Sequence, residues 1–339
     1  MADPILIWGA GAIGGTLGAY WARAGHDVCL VDIVPDHVHR CRADGLAITG
    51  PVESFTQVVP ALEPTEVSGT YSRIFLAVKA QHTEQALARL APHVADDGFV
   101  LSLQNGLNEL EIAAAVGAER TMGAFINFGA DWHGPGEILF GNRGAVVVGE
   151  IDGSLRDRTR DTHRLLSVFE PEAVLTEDIW AYLWGKLGYG AMLFGTALTP
   201  DSMADNFADP ERTIAWRALG REVMALAAAR GVDPKGFNGF DPQAFMPGAG
   251  DEAADASIAA LAEFNRHTAK THSGIWRDLA VRKRKTEVDA QIGVVVRLAA
   301  EAGHKTPALA CLAELIHDIE DGRRVQSRET LQILIEQCT

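Results

Sequence analysis

The sequence predicts an α/β fold in two parts: an N-terminal domain built on a doubly wound parallel sheet, then an all-helical C-terminal domain. Three observations predict it. Strand-like and helix-like stretches alternate through the first part of the chain, up to about residue 150. After about Leu175 the periodic stretches are helical. Between the first strand and the first helix lies Gly9-Ala10-Gly11-Ala12-Ile13-Gly14, the Gly-rich turn of a Rossmann-type domain. The expected domains are residues 1–175 and 176–339.

The elements follow in order. Pro4 to Trp8 is a short apolar run, and Ala12 to Ala24 a helical stretch of small residues. Val28 to Ile33 reads as the second strand, Ile74 to Val78 as the third and Phe99 to Leu103 as the fourth, with a helix over Thr83 to Leu90. Strand, helix, strand in repeated order implies parallel strands with right-handed crossovers. Thr121 to Glu150 holds strand-like runs, Gly123 to Phe128 and Gly144 to Val148, with little room for helices. It is expected to close the sheet with antiparallel strands, and Ser154 to Phe169 to add a helix. Helices are expected at Trp180–Leu198, Ile214–Arg230, Ala253–His267, Glu287–Ala302 and Pro307–Ile319. Gly236 to Asp255, rich in Gly, Pro and Ala, reads as a loop.

Composition narrows the classes of function. With 47% hydrophobic and 22% charged residues the chain has the makeup of a globular protein. A net charge of -15 opposes binding to a phosphate backbone, so no nucleic-acid partner is expected. Cys29, Cys41, Cys311 and Cys338 form no C-x-x-C pair and match no metal framework. Reduced thiols in a cytoplasmic protein without a metal are expected. No apolar run approaches the roughly 20 residues that cross a bilayer. Met1-Ala2-Asp3-Pro4 lacks a basic leader segment and runs straight into a strand-like stretch, so no signal peptide is expected.

The Gly-rich turn has a specific physical meaning. Gly9 permits the tight turn, Gly11 lets backbone approach a pyrophosphate, and Gly14 lets helix and strand pack closely. The helix start at Ala12 and Ile13 offers free N–H groups and a positive dipole end. Asp32, at the end of the second strand, is either an ordinary loop aspartate or the acceptor for the adenosine ribose hydroxyls. In the second role it repels a 2′-phosphate and favours NAD. His39 and Arg40 follow soon after and are available to a phosphate, which leaves NADP open.

Three further segments stand out: Val78-Lys79-Ala80-Gln81, Gln104-Asn105-Gly106-Leu107, and the pair Lys186 and Glu287, the latter within Lys285-Thr286-Glu287-Val288-Asp289. With the N-terminal turn, this set resembles the ketopantoate reductase (2-dehydropantoate 2-reductase) family over nearly the whole chain. The resemblance implies a Rossmann domain and a helical domain with the active site in the cleft between them. It implies an enzyme of pantothenate biosynthesis, or a relative with an altered substrate, that interconverts a 2-oxo and a 2-hydroxy acid with NADPH. By this likeness Lys79 and Asn105 line the nicotinamide end. Lys186 is the proton donor, and Glu287 binds substrate or cofactor hydroxyls and positions Lys186. The bottom-up chemistry agrees: hydride transfer to a ketone creates an alkoxide, which needs a proton and a positive partner. Each residue also has a plainer reading. Lys186 can snorkel from an apolar helix, Glu287 can serve the dipole of a helix start capped by Thr286 with Asp289 three residues on, Asn105 can shape its turn, and Lys79 can be a solvated charge.

The chain departs from the family pattern where substrate is read. The family carries asparagines four and eight residues after the catalytic lysine, where this chain has Gly190 and Phe194. Phe194 points either to a bulkier ligand or to a core helix. Ser273 or Gly274 falls at the family's substrate serine, with His272 and Arg277 as additional polar groups. Arg282-Lys283-Arg284-Lys285 is either a solvated face or a recruiter of anions. Two other functions stay open: a nicotinamide-binding regulator without turnover, and a 3-hydroxyacid dehydrogenase, against which the Q-N-G-L segment argues. The apolar surface of the helical domain offers a face for a homodimer.

Overall fold

The computed structural model describes residues 4–268 and 270–339. Met1, Ala2 and Asp3, on which the leader reading rests, lie outside the described residues. The chain forms two compact units, Met1–Ile179 and Trp180–Thr339.

In the first unit the apolar run becomes strand β1 (Ile5–Trp8), with all four residues buried. That is the pattern of a parallel strand covered on both faces. Helix α1 (Ala12–Arg23), β2 (Val28–Val31), α2 (Pro35–Ala43), β3 (Leu46–Thr49), β4 (Phe55–Gln57) and β5 (Ala61–Leu62) follow. Next come β6 (Tyr71–Leu76), α3 (Thr83–Leu90), β7 (Val94–Ser102), α4 (Asn108–Val116), β8 (Thr121–Ile126) and β9 (Gly129–Gly134). The unit ends with β10 (Glu137–Asn142), β11 (Val146–Glu150), α5 (Asp157–Phe169) and β12 (Val174–Leu175).

The main sheet has the order β12-β11-β8-β7-β6-β1-β2-β5. Its pairs from β8 through β5 are parallel. The closing segment is only partly antiparallel: β11 runs against β8, but β8 lies parallel to β7. A second sheet, β4-β3-β10-β9, is absent from the sequence reading. Its central pair joins β10 to β3, Glu137 opposite Ala47. Helix α1 is pressed between the two sheets. A Cβ on Gly14 would meet Ile7 of β1, and one on Gly15 would come within 2.6 Å of Ile138 of β10. Tyr20 fills the gap on that helix, edge-on to Phe55, Phe140 and Phe169.

Glu109 and Glu150 are both enclosed in this unit, at 0% and 1% exposed. Glu150, 1% exposed at the end of β11, accepts from Arg158 Nε at 2.8 Å, Arg158 Nη2 at 2.5 Å and Thr159 Oγ1 at 2.7 Å.

The second unit contains α6 (Ile179–Thr196), α7 (Met203–Ala208), α8 (Thr213–Ala229), α9 (Asp251–Arg266) and α10 (Gly274–Ala280). It ends with α11 (Val294–Glu301), α12 (Pro307–Glu320) and α13 (Arg328–Gln337). The sequence reading lacked α7, α10 and α13. The helix expected over Glu287–Ala302 opens instead with a π-helical turn, Asp289–Gly293, before α11. The expected capping partner Asp289 is replaced by Glu320. Its Oε1 accepts from Thr286 N at 2.7 Å and Thr286 Oγ1 at 2.6 Å, while Val288 N donates to Thr286 Oγ1 at 3.3 Å. The expected loop over 236–255 holds a short 3-10 turn, Pro242–Phe245, and the first turn of α9. Asn206, fully buried, gathers the α6–α7 connection through Asp201 O, Ser202 O and Arg212 Nη1.

All four cysteines are free thiols. Burial pushes Cys29 up to about 11, Cys41 and Cys338 up to about 12, and Cys311 above its ordinary value. Among the described residues, no helix is long and apolar enough to cross a membrane.

Candidate active site

In the first unit the predicted residues gather at one edge of the main sheet. Gly9–Gly14 follow β1, Asp32 follows β2, Lys79 follows β6 and Asn105 follows β7. These four strands are neighbours, in the order β7-β6-β1-β2, and ligands of open α/β sheets bind outside such strand ends.

The glycines of the turn separate by physical reason. Gly9 has φ +104°, and a Cβ there would lie 2.6 Å from Val78 N. Gly14 would drive its Cβ into Gly9 O and to 2.9 Å from Ala77 Cβ. A Cβ on Gly11 would meet nothing within 4 Å, so its open side is available to a ligand that approaches the backbone. The first helical bond is Gly15 N to Gly11 O at 2.8 Å, which leaves Gly11, Ala12, Ile13 and Gly14 as the orphan donors of the helix start. No acidic residue stands in the first turn of α1. This donor set suits a pyrophosphate.

Asp32 is held against the turn. Its Oδ2 accepts from Ala10 N at 2.9 Å and its Oδ1 from Val34 N at 3.0 Å. The other two motifs are tied to each other. Gln104 Nε2 donates to Val78 O and to Thr83 Oγ1, each at 2.8 Å. Thr83 Oγ1 donates to Asn108 Oδ1 at 2.9 Å, and Asn108 Nδ2 donates to Asn105 O. The chain of bonds fixes the backbone that carries Asn105, which is partly exposed, while Gly106 turns it at φ +94°. Lys79 is exposed and opens the 3-10 turn Ala80–His82.

In the second unit, α6 is buried along most of its length but leaves a line of partly exposed positions one turn apart: Tyr182, Lys186 and Gly190. Phe194 continues that spacing yet is 0% exposed. The substrate role considered for Phe194 is therefore corrected: the side chain has no surface to offer and belongs to the core. Gly190 differs from the other glycines of its helix. Gly185 abuts Lys235 O, Gly188 the Phe240 ring and Gly195 the Trp216 ring, but a Cβ on Gly190 would meet only Gln291 Oε1, at 3.4 Å. Gln291 N in turn donates to Glu287 O at 3.0 Å. Glu287 is 9% exposed. Ser273, 3% exposed, caps α10 by accepting from Trp276 N at 3.1 Å, so its oxygen already serves the fold. His272 stacks on Trp276, ring centres 4.1 Å apart. In the basic run, Arg282 and Arg284 both pair with Asp278 at 2.9 Å, which neutralises part of that face. Sequence reasoning missed Gln291 and also His37, which touches the Gly-rich turn. The signal for Gln291 was its place one turn after Glu287.

A parallel sheet with this turn at β1–α1, an acidic residue after β2 and a separate helical unit define a nicotinamide-dependent oxidoreductase. Family models described as "Ketopantoate reductase PanE/ApbA" and its C-terminal part match residues 5–153 and 178–320. The chain belongs to the ketopantoate reductase family, oxidoreductases that act on a keto acid. A 2-dehydropantoate 2-reductase of Streptococcus pyogenes serotype M6 is 26% identical over 325 residues, covering 95% of this chain and 99% of its own. A ketopantoate reductase of Ralstonia eutropha has the same fold, with TM-score 0.77, 25% identity and coverage of 95% and 99%. So does D-mandelate dehydrogenase, solved with NADH and anilino(oxo)acetate, with TM-score 0.81, 22% identity and coverage of 95% and 100%.

Proposed function

We propose that this protein reduces a 2-oxo acid to the 2-hydroxy acid with NADH, with 2-dehydropantoate as the first substrate to assay. The observation that carries the reading is Lys186, a lysine on the one partly exposed line of a buried helix. Bound at the Gly-rich turn, a nicotinamide cofactor would supply the hydride for the carbonyl carbon. As the C–O double bond opens, its electron pair settles on oxygen, and Lys186 Nζ gives that oxygen a proton. Glu287 orients the lysine or a substrate hydroxyl. Asn105 and Lys79 serve the nicotinamide end, Asn105 also touching substrate, and Ala12 and Ile13 offer N–H groups to the pyrophosphate. Turnover of 2-oxo acids with NADH tests the proposal. Tight NADH binding with no turnover on any of them favours a regulator instead.

Asp32 carries the cofactor preference, because its carboxylate, held at the ribose edge by two backbone N–H groups, repels a 2′-phosphate. Asp32→Asn is expected to lower the NADH-over-NADPH ratio of kcat/KM by about tenfold, one charge contact being worth about 1.4 kcal/mol. A wild-type enzyme that prefers NADPH would sink the assignment.

A second reading concerns the substrate. Gly190 leaves room beside Gln291, which favours a larger substituent than ketopantoate carries, and the fold neighbour that holds anilino(oxo)acetate supports trying aryl 2-oxo acids. Gly190→Asn is expected to shift kcat/KM toward ketopantoate and away from phenylglyoxylate by about tenfold or more. Equal effects on both substrates would remove Gly190 from the substrate site. The proposal includes a homodimer, measurable by sedimentation, and a cytoplasmic setting that keeps the four thiols reduced.

A further inference from the structure

The peptide groups around Ala10, inside the Gly-rich turn, are held from two sides. Ala10 N donates to Asp32 Oδ2 at 2.9 Å. Ala10 O lies 2.8 Å from Nε2 of His37 on α2. His37 is 1% exposed. Its Nδ1 lies 2.9 Å from Gly136 N, between β9 and β10 of the second sheet, and Trp132 of β9 stands edge-on to its ring at 5.9 Å. A backbone N–H only donates and a carbonyl only accepts. The two contacts therefore require one state of the ring: neutral, with Nδ1 bare and the proton on Nε2.

The consequence follows from peptide planarity. Ala10 C=O and Gly11 N–H belong to one trans peptide, so they point in opposite directions. A carbonyl fixed toward His37 fixes the Gly11 N–H away from it. Gly11 is the residue with open space around it. If the carbonyl is released, the peptide can turn, putting oxygen where a donor stood and repelling an anion.

We propose that His37 is a positioning residue for the dinucleotide, aiming the Gly11 N–H at the pyrophosphate and fastening the turn to the second sheet. Asp32 holds the preceding peptide in the same way, so the acidic residue and the imidazole together set the face the turn presents.

Two conservative variants separate positioning from simple support of the fold. Gln at 37 keeps an N–H donor near the place of Nε2; Asn keeps an acceptor near the place of Nδ1 but reaches no donor to Ala10. NADH affinity is read by fluorescence titration, unfolding without NADH by calorimetry, and kcat at saturating NADH separately from KM. His37→Asn is expected to raise the NADH dissociation constant about fivefold to tenfold, the effect of one lost buried hydrogen bond. It should leave kcat at saturation within about twofold, and His37→Gln should restore affinity to within about twofold of wild type. Wild-type affinity in His37→Asn overturns the proposal. So does an equal loss in both variants that follows their melting temperatures. The ring itself gives a measurement that needs no variant. Nitrogen-15 shifts of His37 with NADH bound should report the Nε2–H form, and a doubly protonated or Nδ1–H ring overturns the assignment.

Discussion

Lys186→Met is expected to lower kcat by about 10²- to 10⁴-fold, the contribution of a positioned proton donor, with the NADH dissociation constant staying within about twofold. Methionine keeps an unbranched stem and a high helix propensity, so α6 retains its packing between Trp184 and Leu187, both buried. What disappears is the ammonium at a partly exposed position. On the proposed mechanism, the alkoxide that follows hydride transfer would then have to take its proton from water, without a positive charge to stabilise it. The loss belongs in kcat and in kcat/KM together, because the interaction is made in the transition state. Rapid-mixing measurement of NADH oxidation checks this directly. A fall of less than about tenfold would leave Lys186 as a snorkelling side chain.

The largest expected effect on stability lies elsewhere. Glu150→Ala is expected to destabilise the first unit by about 3–5 kcal/mol, because it takes the enclosed carboxylate from the Arg158 guanidinium, which keeps its bond to Glu119 O at 2.7 Å. Arg158 is 19% exposed against 1% for Glu150, so water recovers only part of the lost interaction. Thr159 Oγ1 loses its acceptor as well, and with it a support for the first turn of α5. Calorimetry should show the transition of that unit about 10 °C lower. The paired change Glu150→Leu with Arg158→Met is expected to regain most of the loss, since an apolar pair of similar volume carries no desolvation penalty. A single variant that melts within about 2 °C of wild type would contradict the account.

The helices and the site were not equally legible in the sequence. Thr83–Leu90 is a helix residue for residue, since its apolar positions recur on one face and nothing distant competes. The second sheet could not be read. Its strands are short, β9 buries none of its residues fully, and β10 pairs with a strand some ninety residues earlier, Glu137 with Ala47. Periodicity registers one face of one segment and is blind to which segments meet. His37 was hidden for the same reason: in Pro35-Asp-His-Val-His-Arg-Cys-Arg it looks like one more polar helix residue, and its partners, Ala10 O and Gly136 N, lie far off in the chain. Gly9, Gly11 and Gly14 were legible because each answers a local demand of backbone geometry. Phe194 was left between ligand and core by the sequence, and the accessible surface decided for the core. The short helices α7 and α10 escaped because six or seven residues hold too few turns to show a period, although Ser202 and Ser273 mark their starts.

The shielded thiols make the protein a convenient optical instrument. Cys29 and Cys41 are buried, Cys311 and Cys338 partly so, burial raises all four thiols, and a protonated thiol reacts sluggishly with maleimide dyes. A single exposed cysteine can then be tagged in the otherwise native chain. Ile33, 68% exposed and next to Asp32, is the natural place. If the adenosine ribose settles beside Asp32 as proposed, a polarity-sensitive dye on Ile33→Cys changes its emission, reporting occupancy of the turn in real time and without any substrate present.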